Sequence, residues 1–249
     1  MTSTSQKIKL AINNTCPQCG KDWKTYIEIE EEYLAMLGWS NEVANKTLCD
    51  TCNYKLIAEN EINQEKTRIN QAIENANIPA DFTQWDKEKG NSKLANFVYQ
   101  NKDKNLFLSG IYGTGKSRSL AINLVKLITQ NELARVKYFR FTELAMQYAS
   151  ICKEDIGQAS KFIKDLLNYD IIVIDDLAKK RITDNAGEFM YDIFDNLYCG
   201  KAKCKLWVSS NINWRKLANL FENKDCGNAV VSRIDRLISE NRLVENEVQ

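Results

Sequence analysis

The stretch NLFLSGIYGTGKSRSL, from Asn105 to Leu120, decides how the chain is read. It passes from a short apolar segment through a glycine-rich loop to Lys116 and Ser117, and then into an apolar-periodic run. Gly110 to Ser117 matches G-x-x-x-x-G-K-[ST] without gaps. Glycines at these positions let backbone N–H groups turn inward around phosphate oxygens, which bulky residues would block. The pattern therefore assigns Gly110, Gly113, Thr114, Gly115 and Lys116 to a nucleotide's phosphates, with the Ser117 hydroxyl on Mg2+. A helix opening at about Lys116 adds its positive N-terminal end. A chance glycine-rich turn is the plain alternative, and the strand before and helix after weigh against it.

Outward from this loop the chain alternates strand and helix. Apolar strand candidates are 105–109, 136–141, 170–175 and 206–210, with helical stretches around 116–130, 142–151, 156–168 and 188–197. That alternation predicts an α/β fold: a parallel sheet with helices on both faces. The run DIIVIDD is continuous and β-branched, as a central strand buried on both faces should be. Hydrophobic residues make up 44% of the 249, enough for a substantial core, and net charge is only +1, so any DNA contact must be local. No apolar run reaches the roughly 18 residues of a membrane span, and MTSTSQKIKL lacks a secretion signal's apolar centre. A cytoplasmic protein is expected. Histidine is absent, so a metal site must use thiolates or carboxylates and no imidazole can act as a base.

Three further elements follow the loop. Asp175 ends the apolar strand, where an acid can hold Mg2+ through water, and Asp176 stands where such ATPases carry a water-activating acid; solvated carboxylates at a strand end are the alternative. The strand KLWVSSNIN ends in Asn211, placed to position an attacking water and sense the γ-phosphate, or simply to start a turn. In AVVSRIDRL, Arg233 and Arg236 fall three apart on a helix. Arg233 is a candidate arginine finger acting on a neighbouring subunit's γ-phosphate; surface salt bridges to Asp235 or Glu240 are the other reading.

The first 54 residues hold Cys16-Pro-Gln-Cys19 and Cys49-Asp-Thr-Cys52. Each pair can grip one metal ion in a turn, and Cys16, Cys19, Cys49 and Cys52 together make a tetrahedral thiolate site suited to Zn2+. The 29 intervening residues exceed the common ribbon spacing. A redox dithiol is the rival, but such motifs come singly in a βαβ setting. Cys152, Cys199, Cys204 and Cys226 lack ligand spacing and read as ordinary residues. Residues 55–78 form a polar linking helix that stops before Pro79, so the expected division is 1–54 zinc module, 55–78 linker and 79–249 ATPase domain.

These elements, in this order, resemble an AAA+ ATPase of the DnaC/DnaI-type replicative helicase-loader branch, which also includes the ATPase helpers of insertion-sequence transposases. The resemblance covers roughly residues 78 to 240 and extends to NIPADFTQWD, RVKYFRFTELAMQY and IDDLAKKRITDNAGEFMYDIFDNLY. It implies ATP and Mg2+ as cofactors beside Zn2+, the Walker-B role for Asp175 and Asp176, the sensor role for Asn211 and the trans finger for Arg233. It implies loading of a hexameric replicative helicase onto single-stranded DNA, self-association through AAA+ subunit boundaries, and a grip on the helicase by the N-terminal module. The alternatives are an ATP-dependent DNA-binding helper of a transposase and a nucleotide-switched regulator. Leu197 stands where the family often has arginine, the tail ISENRLVENEVQ leaves no room for a C-terminal lid domain, and Arg242 is a weak second-sensor candidate. Local basic candidates for DNA are Lys153, Lys161, Lys164, Lys179, Lys180 and Arg181, while Tyr138 and Phe139 read as core.

Overall fold

Apolar runs whose two faces are both hydrophobic need cover on both sides, and helices packed on each face of the sheet provide it. The computed structural model describes residues 7–30, 50–84, 90–130, 135–177 and 181–248. Contacts divide the chain into two compact units, Met1–Arg68 and Ile69–Gln249. In the first, β1 (Lys7–Thr15) and β2 (Asp22–Glu30) pair as an antiparallel hairpin, with Thr15 opposite Asp22 at its closed end. The helix α1 (Asp50–Asn75) begins at the second cysteine pair and runs through both the expected 54/55 division and the 68/69 division given by the contacts.

The second unit is a five-stranded parallel sheet built from β3 (Asn105–Gly110), β4 (Val136–Arg140), β5 (Ile171–Leu177), β6 (Lys205–Ser210) and β7 (Leu243–Val248). Its order is β4-β5-β6-β3-β7. The helices are α2 (Ser92–Gln100), α3 (Lys116–Thr129), α4 (Phe141–Glu154), α5 (Ile156–Leu166), α6 (Asp184–Tyr198) and α7 (Lys224–Ser239). Alternate strand residues feed two cores. Phe107, Ile172, Ile174, Leu206 and Val208 join the core that α4 to α7 complete. Leu106, Leu108, Ile171, Val173 and Trp207 join the one under α2 and α3. The three-layer α/β fold expected from the sequence is the one observed.

Two differences from the sequence reading bear on the site. The strand expected to end at Asp175 continues to Leu177, so both acids lie within β5. The tail also contains a strand that was not expected: β7 lies parallel beside β3, pairing Asn105 with Leu243 and Gly110 with Val248. Its polar pattern LVENEV hid it, because an edge strand buries only part of its surface. A Cβ on Gly110 would collide with the Val248 carbonyl, so this first loop glycine is required by close strand approach as well as by its φ of +142°. Among the described residues no helix is long and apolar enough to cross a membrane.

The buried Asn105 side chain ties β3 to both neighbours. Its amide donates to the Arg242 carbonyl at 2.7 Å and its oxygen accepts from the Leu206 N–H at 2.9 Å. Asn105→Ala strands both backbone groups and is expected to lower the unfolding free energy by about 2–4 kcal/mol, measured by urea denaturation; an unchanged midpoint would show that the bridge contributes little.

Candidate functional site

Because β6 lies between β3 and β5, the three strand tips carrying the phosphate loop, Asn211 and the two acids converge at one end of the sheet. Together they line an open cleft of about 430 Å3, with Phe82, Tyr112, Gly113 to Arg118, Asp176 and Asn211 around it. The loop turns into α3 at Gly115, whose φ of +81° is left-handed. It is braced from outside by Asn91, which accepts the Leu94 N–H at 3.0 Å to cap α2 and donates to the Thr114 carbonyl at 3.1 Å. Phe82, on a short 3-10 turn, has its ring 5.1 Å from the Arg118 guanidinium.

Lys116 is buried at 6% exposure. Its ammonium donates to the Gly110 and Ile111 carbonyls, each at 2.8 Å, and lies 3.3 Å from both Thr114 Oγ1 and Asn211 Oδ1. Burial pushes its pKa down, and the nearby Asp175 and Asp176 carboxylates oppose that shift. Three protons shared among four acceptors make this a donor that a multiply charged anion can redirect. The Asn211 amide nitrogen, beside it, is buried and has no hydrogen-bond acceptor among the described residues. A donor left in that state is costly, and a phosphate oxygen in the cleft would satisfy it.

Asp175 is buried, and three hydroxyls hold its carboxylate. Ser117 Oγ donates to Oδ1 at 2.6 Å, Ser209 Oγ donates to the same oxygen, and Tyr138 Oη donates to Oδ2 at 2.6 Å. Burial, followed by the charge of Asp175, raises the Tyr138 pKa, so the phenol stays protonated. Ser209 also accepts the Asp176 N–H at 3.1 Å. The β5–β6 register shifts between Ile174 and Leu177, and Asp176 takes a φ of +56° there. Such a bulge re-aims side chains at a strand end, and here it turns Asp176 into the cleft.

Arg233 is elsewhere. On α7 it forms an ion pair with Asp195 of α6 at 2.7 Å, its guanidinium 5.1 Å from the Tyr198 ring and 3.4 Å from Tyr191 Oη. Its partner is thus neither Asp235 nor Glu240, and Arg236 instead reaches Tyr198 Oη at 3.2 Å. Arg242 caps the C-terminal end of α6, donating to the Tyr198 carbonyl at 2.7 Å and to the Leu197 carbonyl. It immediately precedes β7, at the sheet end opposite the loop, and therefore does not serve as a second sensor in this chain's own cleft.

In the first unit, Cys16, Cys19 and Cys52 bring their Sγ atoms within 4.8 Å of one another. Cys16 and Cys19 lie on the hairpin turn, closed by Cys16 N–H to Lys21 at 2.9 Å and Gly20 N–H to Cys16 at 2.8 Å, and Cys52 lies in the first turn of α1. Tetrahedral Zn–S arms of about 2.3 Å place sulfurs roughly 3.8 Å apart, so thiols gathered within 4.8 Å offer three of the four ligands such an ion takes. Cys49 lies outside the described residues, as do Lys179 and Lys180. Cys204 is buried, which pushes its thiol up to about 11. Lys153, Lys161 and Lys164 are exposed, while Arg181 is paired with Glu222 at 3.7 Å.

Sequence reasoning missed Tyr138, Ser209 and Asn91. Ser209 was within the quoted strand end. Tyr138 was read as core, and it is buried, but its hydroxyl has a second use that only the strand register reveals.

The family of IstB-like ATP binding proteins matches residues 40–247. Among solved structures the chain resembles DnaI, with 16% identity and a TM-score of 0.51 over 69% of this chain and 94% of that one. It also resembles the DnaC helicase loader, with 21% identity and a TM-score of 0.46 over 62% and 86%. AMPPCP-bound DnaA from Aquifex aeolicus gives 19% identity and a TM-score of 0.47 over 63% of this chain, which spans only 45% of that DnaA chain. At 16% identity the likeness to DnaI is one of fold alone, a parallel sheet flanked by helices. Among curated protein sequences none matches.

The left-handed backbone at Asp176 yields a stability test. Asp176→Gly is expected to be more stable than Asp176→Ala by about 1 kcal/mol, compared by urea denaturation; equal stability would mean that the bulge relaxes.

Proposed function

We propose a function from one premise: the chain belongs to the IstB-like ATP binding protein family. It binds ATP and is an ATPase. In our reading, ATP hydrolysis serves to load a hexameric replicative helicase onto single-stranded DNA, with the N-terminal cysteine module gripping the helicase. The observation that carries the ATP site is the Asn211 amide, buried beside Lys116 without an acceptor among the described residues.

The proposed roles follow from position. Gly110, Gly113, Thr114 and Gly115 cradle phosphates, and Lys116 exchanges loop carbonyls for phosphate oxygens. Ser117 Oγ, which donates to Asp175 Oδ1 at 2.6 Å, would hold Mg2+ directly, and Asp175 would hold it through water. When bound, that ion would neutralise charge on the β- and γ-oxygens. Asp176 accepts the attacking water's proton, and Asn211 orients that water against the γ-phosphate. Arg233, outside the chain's own cleft, is assigned to a neighbouring subunit's γ-phosphate, so assembly must redirect it from Asp195. Cys16, Cys19 and Cys52, with Cys49 as fourth ligand, hold zinc.

Support for the loader over other clients comes from the motif order and the cysteine module. The transposase-helper reading stands beside it because the matching family is the IstB-like one. Both use the same ATP site, and only the client separates them.

Two measurements check these assignments. The tagged chain with ATP should co-purify stoichiometrically with the host's replicative helicase, carry about one zinc that Cys52→Ser removes, and lose the helicase when residues 1–60 are deleted. Recovery of a transposase instead, or of no helicase, would overturn the loader reading. Arg233→Ala should keep ATP binding and lose about 10^3-fold in turnover, and mixing with Lys116→Ala subunits should restore part of it; a turnover equal to the unsubstituted chain's would remove Arg233 from the site.

A further inference from the structure

We propose that Tyr138 is a positioning residue for the metal-holding acid: its phenol fixes the Asp175 carboxylate so that the edge facing Ser117 is presented to Mg2+. The inference rests on the Mg2+–ATP reading of the cleft and adds to it a residue outside the phosphate loop and the acidic strand.

The geometry is specific. Tyr138 is 1% exposed, yet its hydroxyl is directed not at solvent but at Asp175 Oδ2, 2.6 Å away. The other oxygen, Oδ1, takes Ser117 at 2.6 Å and Ser209. The two carboxylate oxygens therefore have different duties. Oδ1 shares its donor, Ser117, with the proposed metal site, and Oδ2 takes the Tyr138 hydroxyl, a donor with no other hydrogen-bond partner among the described residues. A Ser117 hydroxyl that gave a lone pair to Mg2+ would keep its proton on Oδ1, so the orientation of the carboxylate fixes where those lone pairs point. Tyr138 and Ser209 are then what stop the carboxylate from rotating about its Cβ–Cγ bond.

The phenol is itself held from behind. Tyr138 pairs with Val173 in the β4–β5 ladder, its N–H donates to the Ala76 carbonyl at 2.8 Å, and Asn77 Nδ2 donates to its carbonyl at 3.2 Å. A ring anchored at its backbone and packed in the core under α2 and α3 has one position for its hydroxyl. A metal-site acid fixed by a locked outer residue is the arrangement that tunes metal sites, where loss of the outer partner costs about 10–100-fold in metal affinity.

The test is equilibrium binding of a non-hydrolysable ATP analogue to the full chain, with Mg2+ titrated and with EDTA. Tyr138→Phe keeps the ring and removes only the hydroxyl. It should leave the EDTA affinity within about twofold and raise the Mg2+ concentration for half-maximal tightening by about 10-fold or more. A merely structural role would weaken both states alike, and that result overturns the proposal, as does an unchanged Mg2+ titration. An unsubstituted chain that binds no nucleotide, or binds it equally in EDTA, overturns the cleft reading itself and this inference with it. Should Tyr138→Phe fail to fold, Ser209→Ala carries the same titration, with the same shift expected and the same null result decisive.

Discussion

The carboxylate of Asp175 is the point on which the site depends. Hydroxyls from three separate elements converge on it: Ser117 from the first turn of α3, Tyr138 from β4 and Ser209 from β6. Buried carboxylates are tolerated only when fully hydrogen-bonded, so the fold must keep these strand tips in register to bury Asp175 at all. The strand order makes that possible. By inserting β6 between β3 and β5, the sheet places Ser209 next to the acid and Asn211 next to Lys116. Parallel topology brings all the C-terminal strand ends to one edge, where ligands of such sheets bind.

The same constraint explains the local irregularities. Asp175 is inward and tethered, while the next residue must face the cleft, and a regular strand cannot re-aim one residue independently of its partner strand. The register shift after Ile174 and the left-handed Asp176 resolve this conflict. Strain of about 1–3 kcal/mol at such a residue is held by the surrounding sheet. Asn105 anchors the opposite end of β3, so the strand under the phosphate loop is tied at its base by side-chain hydrogen bonds and at its tip by the contact of Gly110 with Val248.

Local chemistry was legible in the sequence, and long-range chemistry was not. The phosphate loop, Asp175, Asp176 and Asn211 announce themselves because each belongs to a short motif on a strand with continuous apolar character. The layered α/β fold followed from the alternation of those strands with helices. β7 escaped notice because LVENEV carries the mixed pattern of a sheet edge. Tyr138 was seen only as core because an aromatic in an apolar strand says nothing of what its hydroxyl meets. Arg233 was legible as a residue but not in its contact, since Asp195 is brought to it only by the packing of α7 on α6. In the first unit the cysteine spacing pointed to a metal site, and three of those thiols do converge; the hairpin that presents two of them was not anticipated.

The most direct test of the account is a structure of the chain with Mg2+ and a non-hydrolysable ATP analogue. The account predicts that Lys116 leaves the Gly110 and Ile111 carbonyls for phosphate oxygens, that the Asn211 amide gains a phosphate acceptor, and that Asp175 remains on Tyr138 while a Ser117 lone pair faces the metal. An analogue bound away from this cleft, or one that leaves the Asn211 amide without an acceptor and Lys116 on its loop carbonyls, would contradict it.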